Sequence, residues 1–153
     1  GSVIPEFLKQ KEKKLIKITH KEMTRFNIFM NEAIQMVLWA IKNNKGGEII
    51  IPKLKSYKII DLAKVIGPGC KLKFIGIRPG EKIHETLISK SESRNAVDIG
   101  KYYIIFDNQD LANKYLKNKK FKKYPLGNDY SSDNKKSILN NNQLIKLIKN
   151  KIF

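Results

Sequence analysis

Three side chains in a chain of 153 residues have the types and settings to do chemistry: Arg25, Arg78 and Glu81. Arg78 opens the stretch Arg78-Pro79-Gly80-Glu81-Lys82, directly after the apolar run Leu72 to Ile77. The β-branched residues of that run predict a buried strand. Pro79 presets φ and Gly80 is free to take positive φ, so the chain turns there and Arg78 leaves the strand end at the bend. A guanidinium forks onto paired oxygens, and a carboxylate three residues on can orient it, which suits an anionic ligand at the mouth of a sheet. A surface turn in which Arg78 and Glu81 pair with each other accounts for the same residues equally well. Arg25 lies in the extended stretch Met23-Thr24-Arg25-Phe26-Asn27-Ile28, either as a ligand group or as an edge-strand surface charge.

Lysine and arginine number 31 against 14 acidic residues, a formal charge of +17, yet only Arg25, Arg78 and Arg94 are arginine. The lysines are spread along the whole chain. A dedicated nucleic-acid surface clusters arginine and aromatic residues on one element, so the charge predicts nonspecific attraction to polyanions and no specific nucleic-acid partner. Where lysine would serve as a generic charge this chain uses lysine. Arginine at positions 25 and 78 therefore points to planar, bidentate geometry. Cys70 is the single cysteine, which excludes an intrachain disulfide, and His20 and His84 lack metal-ligand spacing. His84 fits a satisfied structural side chain better than a catalyst. No signal peptide and no membrane span are visible, so a cytoplasmic, reducing setting is expected.

The elements that must position these groups alternate between strand and helix. Pro5 predicts a helix start within residues 3–13, and Leu15 to Thr19 alternates as a short strand. Asn31 is expected to cap a helix from Glu32 to Lys42, whose stripe of Ala33, Met36, Val37, Ala40 and Ile41 reads as core. Glu48 to Ile51 reads as a buried strand, Ile59 to Ile66 as a helix, and Lys71 to Ile77 as a strand. Lys82 to Ser89 has helix-compatible spacing, Ser89 to Asp98 reads as loop, Tyr102 to Phe106 as strand and Leu111 to Lys117 as helix. The tail Asn140 to Ile152 is amphipathic, with Leu144, Ile145, Leu147, Ile148 and Ile152. The chain has no Gly-rich dinucleotide turn, no P-loop and no Ser–His–Asp set. It has anion-binding features and no engine.

Three runs, MTRFNI, GGEIIIPKLKSYKIIDLAKVI and IGIRPGEKIHETLIS, together resemble the C-terminal half of the inverting UDP-N-acetylglucosamine 4,6-dehydratases. These are extended short-chain dehydrogenase/reductases of the polysaccharide-biosynthesis group. The resemblance also takes in GSVIPEF, VDIGKYYII and DYSSDN, and so nearly the whole chain. It implies an α/β fold: a small substrate-binding lobe of an extended short-chain dehydrogenase/reductase, lacking the Rossmann core. Arg25 and Arg78 would clamp the UDP diphosphate, and Glu81 would orient Arg78 or bind a ribose hydroxyl. Thr24 would line the same pocket, and the strand Leu15 to Thr19 would edge the uracil. In the family, NADP and a Tyr/Lys pair on the Rossmann half take hydride from C4, eliminate water across C5 and C6, and return hydride to C6 with inversion at C5. None of those groups is in this chain, so it is expected to be inactive alone, to bind no cofactor itself, and to need the missing Rossmann half, from the same or a separate chain.

The expected organisation is a nucleotide-sugar-binding lobe over 1–117, an irregular polar segment over 118–137, and a C-terminal helix of the same domain over 138–153. Exposed apolar surface is expected where the missing half docks, with self-association into a homo-oligomer as one consequence. A related UDP-sugar epimerase or retaining dehydratase is the alternative within the superfamily. A basic, non-enzymatic binding or scaffold domain is the alternative from another class.

Overall fold

The structure is a computed structural model that describes residues 3–152, with side chains described as far as Lys149. In chain order, α1 is Val3–Glu12, β1 Leu15–Ile18, β2 Thr24–Asn27 and α2 Met30–Asn43. Then come β3 Ile49–Pro52, β4 Lys55–Lys58, α3 Ile59–Ile66 and β5 Lys71–Phe74. A short β6, Thr86–Ile88, and a 3-10 turn, Glu92–Asn95, lead to β7 Ala96–Asp98 and β8 Tyr102–Ile105. The rest is α4 Gln109–Leu116, β9 Lys122–Lys123, β10 Tyr130–Ser131 and α5 Asn141–Ile152. The α/β class read from the sequence holds.

The chain forms two compact units and passes between them four times. The first unit takes residues 1–27, 55–85 and 132–153. Its centre is a parallel pair, β1 beside β5, with Leu15 opposite Lys71 and Ile18 opposite Phe74. β1 alternates: Ile16 and Ile18 are fully buried and Lys17 is exposed, which is the period-two pattern of a one-sided strand. α1 seals this unit with Ile4 and Phe7, and α3 with Ile59, Leu62, Ala63 and Ile66. α5 lies on α3 and buries Leu144 and Leu147, whereas Ile145 stays exposed; the Ile152 side chain falls outside the described residues. β2 pairs antiparallel with β4, setting Arg25 opposite Tyr57.

The second unit takes residues 28–54 and 86–131 and carries a four-stranded sheet in the order β3, β8, β7, β9. Val97, Ile104, Phe106 and Ala112 form its core, with Trp39, Tyr115 and Phe121 packed against them. Tyr103 meets Tyr124 and Tyr130 edge-on, at 5.1 and 5.3 Å between ring centroids, the geometry that aromatic quadrupoles favour. The stretch 118–137 includes β9 and β10 and buries Tyr124, Tyr130, Ser131 and Ser132.

Several expectations are corrected. Asn31 lies inside α2; the helix begins at Met30 after Phe29, whose N–H is taken by Glu32 Oε2 at 2.8 Å. No residue of α2 is fully buried: Trp39 faces the core, while Met30, Ile34, Val37, Leu38 and Ile41 form an exposed apolar stripe, Ile41 at 77%. Of β3 only Ile51 is buried, since Ile49 is 53% exposed. The run Leu72 to Ile77 is strand only as far as Phe74, and Phe74, Ile75 and Ile77 are exposed. Apolar periodicity reports which face seeks a partner, and within this chain those faces find none among the described residues. Lys82 to Ser89 is not a helix, because its end pairs as β6 with β10 and its start is bonded to β2. Ser89 to Asp98 contains the 3-10 turn and β7.

Candidate nucleotide-sugar site

The site lies wholly in the first unit and is built on β2 and the turn after β5. The turn forms as its residues dictate: Glu81 N–H donates to Arg78 O at 3.0 Å, and Gly80 has φ +79°, the positive value a Pro-Gly turn of type II requires. Glu81 Oε2 accepts from the Arg78 N–H at 3.3 Å, so the carboxylate grips the backbone of Arg78. Its other oxygen, Oε1, faces Arg25 Nη2 at 3.7 Å. The sequence expectation that Glu81 meets Arg78 is thus met at the main chain, and the ion pair goes to Arg25.

Arg25 is held from three sides. Its Nη1 donates to Thr24 O at 2.8 Å and to Ile83 O at 3.1 Å, and its Nε lies 3.5 Å from Glu85 Oε1. Both Nη1 protons are therefore committed, whereas Nη2 and Nε meet carboxylates only at ion-pair distance. That Nε–Nη2 edge remains able to fork onto an anion. Arg78 takes no part in this ion-pair set. Across β2, burial raises the Tyr57 phenol pKa and the Arg25 charge partly offsets it, so the phenol stays neutral beside the guanidinium.

Arg25, Arg78 and Glu81 all line one cavity of about 780 Å³. Lys9 and Lys17 add two more cations to it and Glu6 one more carboxylate, leaving four positive groups against two negative ones. Phe7, Met23 and Ile59 supply an apolar wall. The volume is that of an ordinary small-molecule site, and the charge excess favours an anion over a neutral ligand. Lys17 and Thr19 from the β1 end reach the same cavity, but the Lys17 N–H is already taken by Gln10 Oε1 at 2.7 Å.

Thr24 behaves differently from its neighbour. Alternation along β2 turns its side chain the other way: it is 1% exposed, with Oγ1 2.8 Å from His84 Nδ1 and 2.6 Å from Ser132 Oγ. His84 is accordingly a bonded structural side chain. Ser132 went unrecognised in the sequence, because nothing local marks a serine that meets a threonine 108 positions away. Among the described residues no cluster of His, Cys, Asp and Glu could hold a metal, and no helix is long and apolar enough to cross a membrane.

A family model described as polysaccharide biosynthesis protein matches residues 1–107, a range that includes Thr24, Arg25, Arg78 and Glu81. The chain belongs to the polysaccharide biosynthesis protein family. This family member is 38% identical over 156 residues to the UDP-N-acetylglucosamine 4,6-dehydratase (inverting) of Campylobacter jejuni, covering 97% of the chain and 47% of that enzyme, roughly its C-terminal half. It is also 38% identical over 142 residues to the UDP-glucose 4-epimerase of Rickettsia canadensis, covering 88% of the chain and 41% of that enzyme. The X-ray structure of Pen from Bacillus thuringiensis superimposes with a TM-score of 0.81 at 30% identity, over 99% of this chain and 46% of that one. This polysaccharide biosynthesis protein thus spans about half the length of the curated relatives it matches, as the resemblance read from its three motifs implied.

Proposed function

We propose that this chain is the substrate-binding C-terminal part of an inverting UDP-N-acetylglucosamine 4,6-dehydratase, acting in nucleotide-sugar and surface-polysaccharide biosynthesis and inactive by itself. The observation that carries this reading is that Arg25 and Arg78, from segments far apart in the sequence, open on one cavity with an excess of positive charge. A diphosphate is the anion that rewards two converging guanidiniums, because each can fork onto a separate phosphoryl group. Glu81, already steering both the Arg78 backbone and the Arg25 guanidinium, is the acceptor for a ribose hydroxyl. The apolar wall gives the nucleoside a desolvated surface. In this role the chain binds and orients; positioning is its contribution to catalysis.

The NADP that the resemblance implies does not fit the residues present. A dinucleotide needs a Gly-rich turn between a strand and the start of a helix. Among the described residues, Gly67 and Gly69 follow the end of α3, and Gly46 and Gly47 stand between α2 and β3. No redox step is assigned to this chain. The partner is a polypeptide equivalent to the other half of the relatives, and the α2 stripe of Met30, Ile34, Val37, Leu38 and Ile41 is the surface we assign to it. A UDP-sugar epimerase part is the second reading, favoured by the equal identity to the Rickettsia epimerase; the same diphosphate grip serves both.

Calorimetric titration of the 153-residue chain with UDP and with inorganic phosphate, at low salt and at about 0.5 M salt, tests the reading. Preference for UDP that survives high salt supports a built pocket. Binding of both anions that fades together with salt would favour the basic scaffold and remove the nucleotide-sugar assignment.

A further inference from the structure

The cavity explains Arg25, Arg78 and Glu81, but it leaves out a buried chain of polar groups directly behind them. Ser132 is completely buried and Thr24 is 1% exposed, and their hydroxyl oxygens are 2.6 Å apart. Thr24 Oγ1 also lies 2.8 Å from His84 Nδ1, and Ser132 Oγ accepts the Glu85 N–H at 2.9 Å. The backbone closes the same seam: Ser132 N–H donates to Glu85 O at 2.8 Å and Thr24 N–H to Ile83 O at 3.0 Å. Ile83 O accepts the Arg25 Nη1 proton as well. Residues 83–85, which continue the Arg78–Glu81 turn, are thereby fastened both to the strand that carries Arg25 and to Ser132.

Counting donors and acceptors gives this chain a direction. If His84 Nδ1 carried a proton, it would donate to Thr24 Oγ1, and Thr24 would donate to Ser132 Oγ. Ser132 Oγ, which already accepts from Glu85, would then have its own proton left without a partner in a fully buried site, an expensive arrangement. In the opposite sense every group is satisfied: Glu85 N–H donates to Ser132 Oγ, the Ser132 hydroxyl to Thr24 Oγ1, and the Thr24 hydroxyl to His84 Nδ1. We propose that His84 is a positioning residue, fixed as the tautomer with a bare Nδ1. Its lone pair terminates a one-way relay from Ser132 through Thr24, which locks segment 83–85 onto β2 and so sets Arg25 and the Arg78–Glu81 turn around the cavity. Ser132 and Thr24 are the two other members of the brace.

Two measurements on the full 153-residue chain test this independently of any ligand. Imidazole nitrogen–hydrogen correlation spectra of neutral His84 are expected to show the proton on Nε2 alone in the wild type, and a mixture of tautomers in Thr24→Val. A wild-type proton on Nδ1 would overturn the relay. Amide exchange at Thr24, Glu85 and Ser132 is expected to accelerate in His84→Ala and to return to the wild-type rate in His84→Asn, whose side-chain oxygen can stand where Nδ1 stood. Equal exchange in all three proteins would reduce His84 to a passenger. A third arm rests on the diphosphate reading: UDP affinity should fall about tenfold in His84→Ala, the equivalent of one lost hydrogen bond, and recover in His84→Asn. Unaltered affinity in His84→Ala would remove the positioning role. A wild-type chain that shows the bare Nδ1 and the exchange pattern yet binds no UDP would sink the functional proposal and leave the brace standing.

Discussion

At the scale of single side chains, the two arginines differ in how much of their hydrogen-bonding capacity the fold already consumes. Nη1 of Arg25 is spent on two carbonyls, so this guanidinium arrives at the cavity with its plane fixed. Arg78 is set by its turn and brings an uncommitted fork. Arg78→Lys keeps the charge and loses the fork, so UDP should bind roughly tenfold more weakly, while inorganic phosphate, which a point charge serves nearly as well, should change little. Titration calorimetry on the two proteins reads the difference. Glu81→Gln exchanges the charged acceptor proposed for the ribose for a weaker neutral amide oxygen, so the preference for UDP over inorganic pyrophosphate should narrow. The fold should barely notice, because the 3.7 Å contact with Arg25 is partly exposed and such pairs contribute about 0–1 kcal/mol. Both arginines were legible because arginine is rare in a lysine-rich chain. Thr24 was noticed for its place in a motif, but strand alternation turns it away from its neighbour, and Ser132 could be found only with the chain folded.

Among the elements, α2 and α3 make the instructive pair. Both carry apolar stripes at helical spacing, yet Leu62 of α3 is fully buried and Ile41 of α2 is 77% exposed. Leu62→Ala should lower unfolding free energy by about 2–5 kcal/mol in urea titrations. The double change Val37→Gln with Ile41→Gln should leave the urea midpoint nearly where it was and reduce self-association, read by sedimentation velocity. A large loss of stability in that double variant would show the stripe to be covered in solution. The sequence pattern located both helices, as it located β1, β8 and α5, while Pro5 marked the start of α1. The pattern could not tell which stripe has a partner within the chain, since burial depends on what lies opposite. The segment 82–89 shows the reverse case: helix-compatible spacing at Ile83, Leu87 and Ile88 yields to hydrogen bonds with β2 and β10 that no local pattern encodes.

For the molecule as a whole, the tyrosines of the second unit set an alkaline limit. Burial, with neighbouring tyrosines and Asp129, pushes Tyr124 up from 10.0 to about 12, and burial likewise raises Tyr103 and Tyr130. A phenol whose pKa is higher folded than unfolded favours the neutral form in the fold. Its stabilisation is complete below the unfolded value of 10.0 and is lost as pH rises from there through about 12. Lysine deprotonation relieves the repulsion of a +17 chain and acts in the opposite sense, so Tyr124→Phe is the reference. Between about pH 9 and pH 11 the wild-type urea midpoint should fall further than that of the variant. The four passages of the chain between units carry a different consequence, for the order in which the protein is made. The second unit has all its residues once Ser131 has been translated, whereas the first waits for Ser132 to reach Thr24 and for α5 to reach α3. The residues that line the arginine cavity, Val3 to Glu81, are all made before Ser132 and α5, so the segments that brace the first unit from behind are the last to join it.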